Sequence, residues 1–325
     1  MKKSERIILV SRLCVALTLL SGALNVFAQV RDAGQMVRVS GTKISLVPPA
    51  GFGPSTQFPG YWIEAAGASI MITEMPAPYA ALKPTFTDGA ALSKKAMKLL
   101  GQKPVTIGGV SGLLLHYEQA AYGTQFLKWM LALGDENEVV LITATFPKES
   151  EKKFSQALRQ SVLSAKWNKS QSVAADKGLN FSVSEKGAFK LAKRISNALL
   201  YTDSPVFPNK SPDAPLFIVA PSFGRPSTGD QKASAEARVF QIAGVINIGV
   251  VDPQPVTIDG LSGYEIVTSG KDKETGRPVS VYQVMLFDDG AYYLMQGLVS
   301  AGQAAKYLDT FKEMARSFKR RKTAP

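Results

Sequence analysis

The 325 residues contain one cysteine, Cys14, and one histidine, His116. Cys14 lies within an N-terminal stretch that reads as a removable leader, so the mature chain is expected to have no thiol. Disulfides, thiolate metal sites and cysteine nucleophiles are then excluded together. One imidazole without thiolate partners cannot supply the usual ligand set of a zinc or iron centre. No phosphate-cradling glycine loop opens a helix, and no cofactor is expected. Long apolar runs are also missing: that of residues 13–20 is interrupted by Thr18 and followed by Ser21, Gly22 and Asn25. That falls short of the ~20 residues a membrane-spanning helix needs.

The first residues carry Lys2, Lys3, Arg6 and Arg12 against Glu5, ahead of that apolar run. This is the layout of a secretory signal peptide. Val26 and Ala28 place compact side chains where a signal peptidase must admit them, so cleavage is expected between Ala28 and Gln29. The expected address is the periplasm. The chain has a formal charge of +12, and removing the leader, with four basic residues and one acidic, leaves about +9. In an exported protein such a surplus points to anionic lipid headgroups or acidic polymers more than to nucleic acid. The one dense cluster, Lys319, Arg320, Arg321 and Lys322, is expected to extend the last helix, where positive charge suits the negative helix end, and is the candidate contact for an anionic membrane surface.

The strongest signal is an internal repeat. Residues 103–112, KPVTIGGVSG, recur as residues 254–263, QPVTIDGLSG, with seven of ten positions identical. The offset of 151 residues is the size of a domain, so the copies are whole domains and not turns of a solenoid. After the first copy, residues 113–117, 126–133 and 139–145 read as three strands of an antiparallel meander. After the second, residues 264–268, 279–287 and 292–299 do the same, with hairpin turns at Asp259-Gly260 and at Asp288-Asp289-Gly290.

Each meander leads into an amphipathic helix. Phe154, Leu158, Val162 and Ala165 make the first apolar stripe; Ala304, Leu308, Phe311, Ala315 and Phe318 make the second, with Ser300 and Gln303 as a capping box. Upstream of each motif lies a further helix, one capped by Thr87 and Asp88 with Leu92, Ala96, Leu99 and Leu100, the other opened by Asp230 with Ala233, Ala237, Phe240 and Ile242. Residues 43–47, 69–73, 181–183 and 216–219 complete the sheets. The expected organisation is a leader (1–28), a first domain (29–167), a short flexible linker (168–178) without large aromatic residues, a second domain (179–319) and a basic tail (320–325).

A glycine-rich turn before a strand meander, closed by a helix that ends in an aromatic residue, resembles the PsbP-like superfamily. Residues 109–112, 126–145 and 148–167 carry the resemblance in the first copy, and residues 260–263, 282–299 and 300–318 in the second. The superfamily includes photosystem accessory proteins, a eukaryotic Ran-binding import factor and many exported bacterial proteins. The resemblance implies an α+β fold, two tandem copies of an antiparallel sheet flanked by helices in an α/β/α sandwich. It also implies roles in binding or assembly, with no common catalytic residue set to carry over.

The residues that could carry chemistry are few. His116 stands on the first strand of the first meander, and its counterpart in the second copy is Val267, so it reads as a polar strand residue. Asp135-Glu136 and Asp288-Asp289 occupy equivalent hairpin turns, where short carboxylates bond their own backbone; no recognised calcium-loop spacing surrounds them. Ser111 and Ser262 precede strands, unlike the serine of a nucleophile elbow, which sits between a strand and a helix. No catalytic or metal-binding residue is therefore assigned. The favoured role is a non-enzymatic binding or assembly accessory protein of the cell envelope, with an unidentified envelope protein or ligand as partner. The alternatives are an envelope enzyme with a site between the two domains and a peripheral membrane-surface protein that uses the basic tail.

Overall fold

The computed structural model describes residues 34–121, 123–204, 211, 213–222 and 229–321. The leader, with its expected cleavage between Ala28 and Gln29, lies outside them, as does Lys322. The chain forms two compact units, the first ending at Gly178 and the second beginning at Leu179. Every strand pairing among the described residues is antiparallel, and helices accompany the sheets, so the fold class is α+β.

The first unit contains β1 (Val37–Arg38), β2 (Ile44–Leu46), β3 (Gly53–Pro54), β4 (Gly60–Ile63) and β5 (Ala68–Met75), then α1 (Tyr79–Leu82) and α2 (Gly89–Ser93). It continues through β6 (Met97–Ile107), β7 (Val110–Ala121), β8 (Thr124–Gly134), β9 (Val139–Pro147), α3 (Glu151–Leu163) and β10 (Lys166–Trp167). The main sheet runs β3-β4-β5-β9-β8-β7-β6, and β1, β2 and β10 form a small second sheet. The meander is thus longer than its apolar core suggests, and the repeated motif is itself a hairpin whose first arm is β6. Phe154, Leu158 and Val162 of α3 are buried against Leu127, Leu131 and Leu133 of β8 and Val140, Ile142 and Ala144 of β9. The alternation along β8 puts its odd-numbered residues on this face.

The second unit contains β11 (Phe181–Ser182), β12 (Lys190–Ile195), β13 (Ala198–Thr202), β14 (Leu216–Pro221), α4 (Gln231–Val239) and β15 (Val245–Ile246). After these come β16 (Gln254–Ile258), β17 (Leu261–Asp272), β18 (Pro278–Asp288), β19 (Ala291–Ser300), α5 (Ala304–Arg316) and β20 (Lys319–Arg320). Its main sheet runs β12-β13-β14-β19-β18-β17-β15, with β16 also paired to β17, and β11 pairs with β20. The order β14-β19-β18-β17-β16 therefore repeats β5-β9-β8-β7-β6. Small bonds repeat as well. After α3, the Ser164 hydroxyl accepts from the Val47 N–H at 2.8 Å and donates to the Ser161 carbonyl at 2.7 Å. After α5, the Ser317 hydroxyl accepts from the Ser184 N–H at 2.9 Å and donates to the Met314 carbonyl at 2.6 Å.

Four local expectations are corrected. The helix capped by Asp88, which accepts from the Ala90 and Ala91 N–H groups, stops at Ser93. Ala96 then turns with φ of 51°, and Leu99 and Leu100 fall in β6, because ladder pairing with β7 outweighs their helical spacing. Asp230 caps α4 as expected, but the helix ends at Val239 and leaves Phe240 exposed. Ser300 makes no capping bond: it closes β19, and a 3-10 turn, Ala301–Gln303, comes before α5. The buried face of α5 is Tyr307, Phe311, Met314 and Ala315, with Leu308 at its margin.

Residues 168–178, read as a linker, are fastened to the first unit. The Asn168 N–H donates to the Lys43 carbonyl, Lys169 pairs with Asp135 at 2.8 Å, and Gly178 lies against Ser40.

Candidate functional site

The basic cluster does not prolong the last helix. α5 ends at Arg316, and Lys319 and Arg320 form β20, whose backbone pairs with β11. The Arg320 guanidinium reaches the Asp259 carboxylate at 3.2 Å, the Asp259 carbonyl at 2.9 Å and the Asp288 carboxylate at 3.3 Å. Lys319 also pairs with Asp259, at 3.4 Å. The backbone N–H of Arg320, with help from both side chains, holds the Asp259 carboxyl below its usual range. These two cations thus close the second unit by tying its last strand to two hairpin turns. Arg321 donates its N–H to the Asn180 carbonyl.

The paired carboxylates serve the same end. Asp135 accepts N–H bonds from Asn137 and Glu138 and an ion pair from Lys169, and that lysine bond is the main cause that pushes its carboxyl down to about 2. Asp289 and Gly290 take φ of 41° and 76°, and Asp259 and Gly260 take 53° and 74°, the left-handed pairs that two-residue hairpin loops require. Ser111, beside the Gly108-Gly109 turn, and Ser262, beside Asp259-Gly260, are exposed and paired across the ladder with Thr106 and Thr257.

His116 lies flat on Trp129, with ring centroids 3.9 Å apart and planes 9° from parallel. The Trp129 indole donates to Ser155 of α3 at 3.0 Å, and Arg159 sits 5.5 Å from the ring. The His116 Nε2 is buried without a hydrogen-bond partner. Burial lowers the His116 pKa below 6.5, and nearby Glu151 opposes this only in part. The fold therefore prefers the neutral ring. Stability contributed by this preference is complete above 6.5 and declines as pH falls below it. Because His116 is the only histidine, we expect the chain to lose stability between about pH 7 and pH 5 and His116→Phe to remove that loss, read as denaturation midpoints at both values. An unchanged loss in the variant would show that the stack is indifferent to protonation.

In the second unit the equivalent cross-strand pair is Val267 with Tyr282. Tyr282 donates to Glu265 at 2.7 Å, and Arg316 grips the same carboxylate at 3.0 and 3.3 Å. Burial pushes the Glu265 carboxyl up, but these hydrogen bonds outweigh it and leave it below its ordinary value, while burial raises Tyr282. Such a fully paired triple fixes structure and releases no proton near neutrality.

One buried charge has no such company. Lys128, at 8% exposure, stands on the face of β8 opposite α3. Its row across the sheet reads Ser69, Thr145, Lys128, Tyr117. Among the described residues its amine makes no ion pair or hydrogen bond. Burial, reinforced by the positive charge of Lys95, pushes its pKa down to about 8. Tyr117 is turned away, donating to the Phe86 carbonyl at 2.7 Å, and Gln119 donates to the Lys95 carbonyl at 2.9 Å. Toward β9 and β5 the face is half-open, with Met130, Leu141, Thr143, Thr145 and Met71 only partly buried. In the second unit the corresponding face is closed by α4, where Gln283 donates to the Ala235 carbonyl at 2.8 Å and Val281 is buried. The sequence does carry the signal for this site: Lys128 is the one polar residue in the run 126–133.

Among the described residues no group of His, Cys, Asp or Glu side chains is arranged to hold a metal ion, and no helix is long and apolar enough to cross a membrane. No family model and no curated protein matches the chain. Solved structures resemble parts or most of it. LpqN, involved in cell envelope biogenesis of Mycobacterium tuberculosis, is 17% identical over 43% of this chain and 82% of its own, with a TM-score of 0.30. Cyanobacterial PsbP from Synechocystis is 13% identical over 45% of this chain and all of its own (100%), with a TM-score of 0.30. The type VI secretion immunity protein TplEi of Pseudomonas aeruginosa is 12% identical over 88% of this chain and 98% of its own, with a TM-score of 0.34. At scores this low the likeness carries no argument about family or role.

Proposed function

We propose that the chain is exported through a leader cleaved between Ala28 and Gln29, and that it works in the periplasm as a non-enzymatic binding or assembly accessory protein. In this reading it is a tandem duplication of one PsbP-like domain, each copy an antiparallel sheet between helices. The observation that carries the proposal is what the two units share at equivalent positions. They share the glycines of the hairpin motif, the serine bonds after the last helix and the turn aspartates Asp135 and Asp288, each tied to a cation that follows that helix. They do not share the ionisable groups of their strands: His116 matches Val267, and Lys128 matches Val281. Duplicated scaffolding that carries different side-chain chemistry suits a protein that holds partners better than one that repeats a reaction.

The test is affinity capture from native envelopes with the mature chain from Gln29 to Pro325, and with the two units expressed separately. The expected result is one stoichiometric protein partner retained at moderate salt by the whole chain. Retention of nothing beyond what the separate units retain would overturn the reading.

A further inference from the structure

We propose that the half-open face of the first sheet binds an amphiphilic monocarboxylate, with its carboxylate on the Lys128 ammonium and its apolar body along Met130, Met71 and Leu141. A cation taken out of water is costly unless an anion meets it, and Lys128 is 8% exposed with no ion pair among the described residues. The face itself cannot supply the anion. Its residues on β5 (Ser69, Met71, Thr73, Met75), β9 (Val139, Leu141, Thr143, Thr145), β8 (Phe126, Met130, Ala132) and β7 (Leu113, Leu115, Tyr117, Gln119) include no acid.

The segment covering the rest of the face carries Tyr79, Lys83, Asp88, Lys94 and Lys95. Its one carboxylate, Asp88, is exposed and occupied in capping the Ala90 and Ala91 N–H groups. Lys95 adds positive charge at Lys128, so the field favours an anion from outside the chain. The shape of the remaining surface selects the rest of the ligand. Met71 and Met130 are flexible, polarizable side chains suited to an irregular apolar body. Thr145, opposite Lys128 in the ladder, and Thr143, opposite Met130, add hydroxyls to the same face. Half-buried, these residues leave room for a ligand on the sheet, which α4 denies in the second unit. The inference goes beyond the assembly reading: it needs no protein partner, and a chain that captures none still tests it.

The experiment is calorimetric titration of the mature chain with octanoate at about pH 6.5 and pH 9.5, with 1-octanol as the uncharged control. Octanoate stays ionised across that range, whereas Lys128 loses its proton, so affinity is expected to fall roughly 30-fold between the two pH values. Octanol should bind weakly and without pH dependence. Lys128→Met, which keeps the volume and removes the charge, should bind octanoate roughly tenfold or more weakly at the lower pH and lose the pH dependence. Its denaturation midpoint should be no lower than that of the wild type, because an unpaired buried charge has gone, so weak binding cannot be put down to unfolding. Absence of octanoate binding at the lower pH, equal affinity at both values, or undiminished binding by Lys128→Met would each overturn the proposal.

Discussion

Phe311→Ala is expected to lower the stability of the second unit by about 3–5 kcal/mol, the usual cost of emptying a fully buried phenylalanine site. Phe311 is 1% exposed and meets Phe189, Phe217 and Tyr282 at centroid distances of 5.6, 5.7 and 6.2 Å. Beneath it lies the row Phe217, Gly297, Tyr282. A Cβ on Gly297 would come within 2.5 Å of the Phe311 ring, so on that side the ring rests on bare backbone with no side chain to fill the void. In the first unit the equivalent row is Ile70, Ala144, Trp129, and the equivalent helix residue is Leu158. A larger helix side chain thus goes with a smaller strand residue. Phe311→Leu combined with Gly297→Ala should therefore cost less than the sum of the two single changes, a coupling that denaturation of all four proteins would measure.

The readout can be assigned to one unit. Trp62, Trp129 and Trp167 all lie in the first unit, and the two cores are separate clusters. Far-UV circular dichroism should register the Phe311→Ala loss while the tryptophan fluorescence midpoint stays in place. A loss of less than about 1 kcal/mol would mean that the site collapses around the missing ring.

Much of this architecture was legible in the sequence. The repeat, the meander strands, the stripe on α3, the helix-capping aspartates Asp88 and Asp230 and the Asp-Gly hairpins are local signals, each set by periodicity or turn chemistry. What stayed hidden depends on partners distant in the chain. β6 is an edge strand with Lys98, Lys103 and Pro104, so its pattern is polar and irregular, and only its ladder with β7 makes it a strand. A bulge between Leu99 and Gly101 further breaks its alternation. Lys319 and Arg320 looked like a free basic patch because Asp259 and Asp288 are remote in sequence. Lys128 was visible as an odd residue in an apolar strand, but its want of a counter-charge could be read only once the face was assembled.

Gly263→Ala should be nearly as damaging, although it adds a single methyl group. A Cβ there would stand 2.1 Å from the Met285 carbonyl oxygen and 2.9 Å from the Leu286 Cα. Both are backbone atoms of the paired strand, so no rotamer change relieves the overlap, and β17 must move away from β18 along a ladder that runs from Gly263 to Lys271. A loss of about 3 kcal/mol, the upper end for overpacking, is expected in the denaturation midpoint of the second unit. Gly112, its counterpart, would meet the Ala132 carbonyl at 2.6 Å and the Leu133 Cδ2 at 2.5 Å. One of those is a side chain that can swing aside, so Gly112→Ala should cost less. Ser262→Ala, exposed on the neighbouring residue, serves as the control and should change stability by no more than about 0.5 kcal/mol. This ordering separates two explanations of the repeated Gly-x-Ser-Gly. If close approach of strands keeps the last glycine, Gly263→Ala is severe and Ser262→Ala is silent. A stable Gly263→Ala chain would instead mean that the strands part readily there and that strand spacing does not explain the repeat.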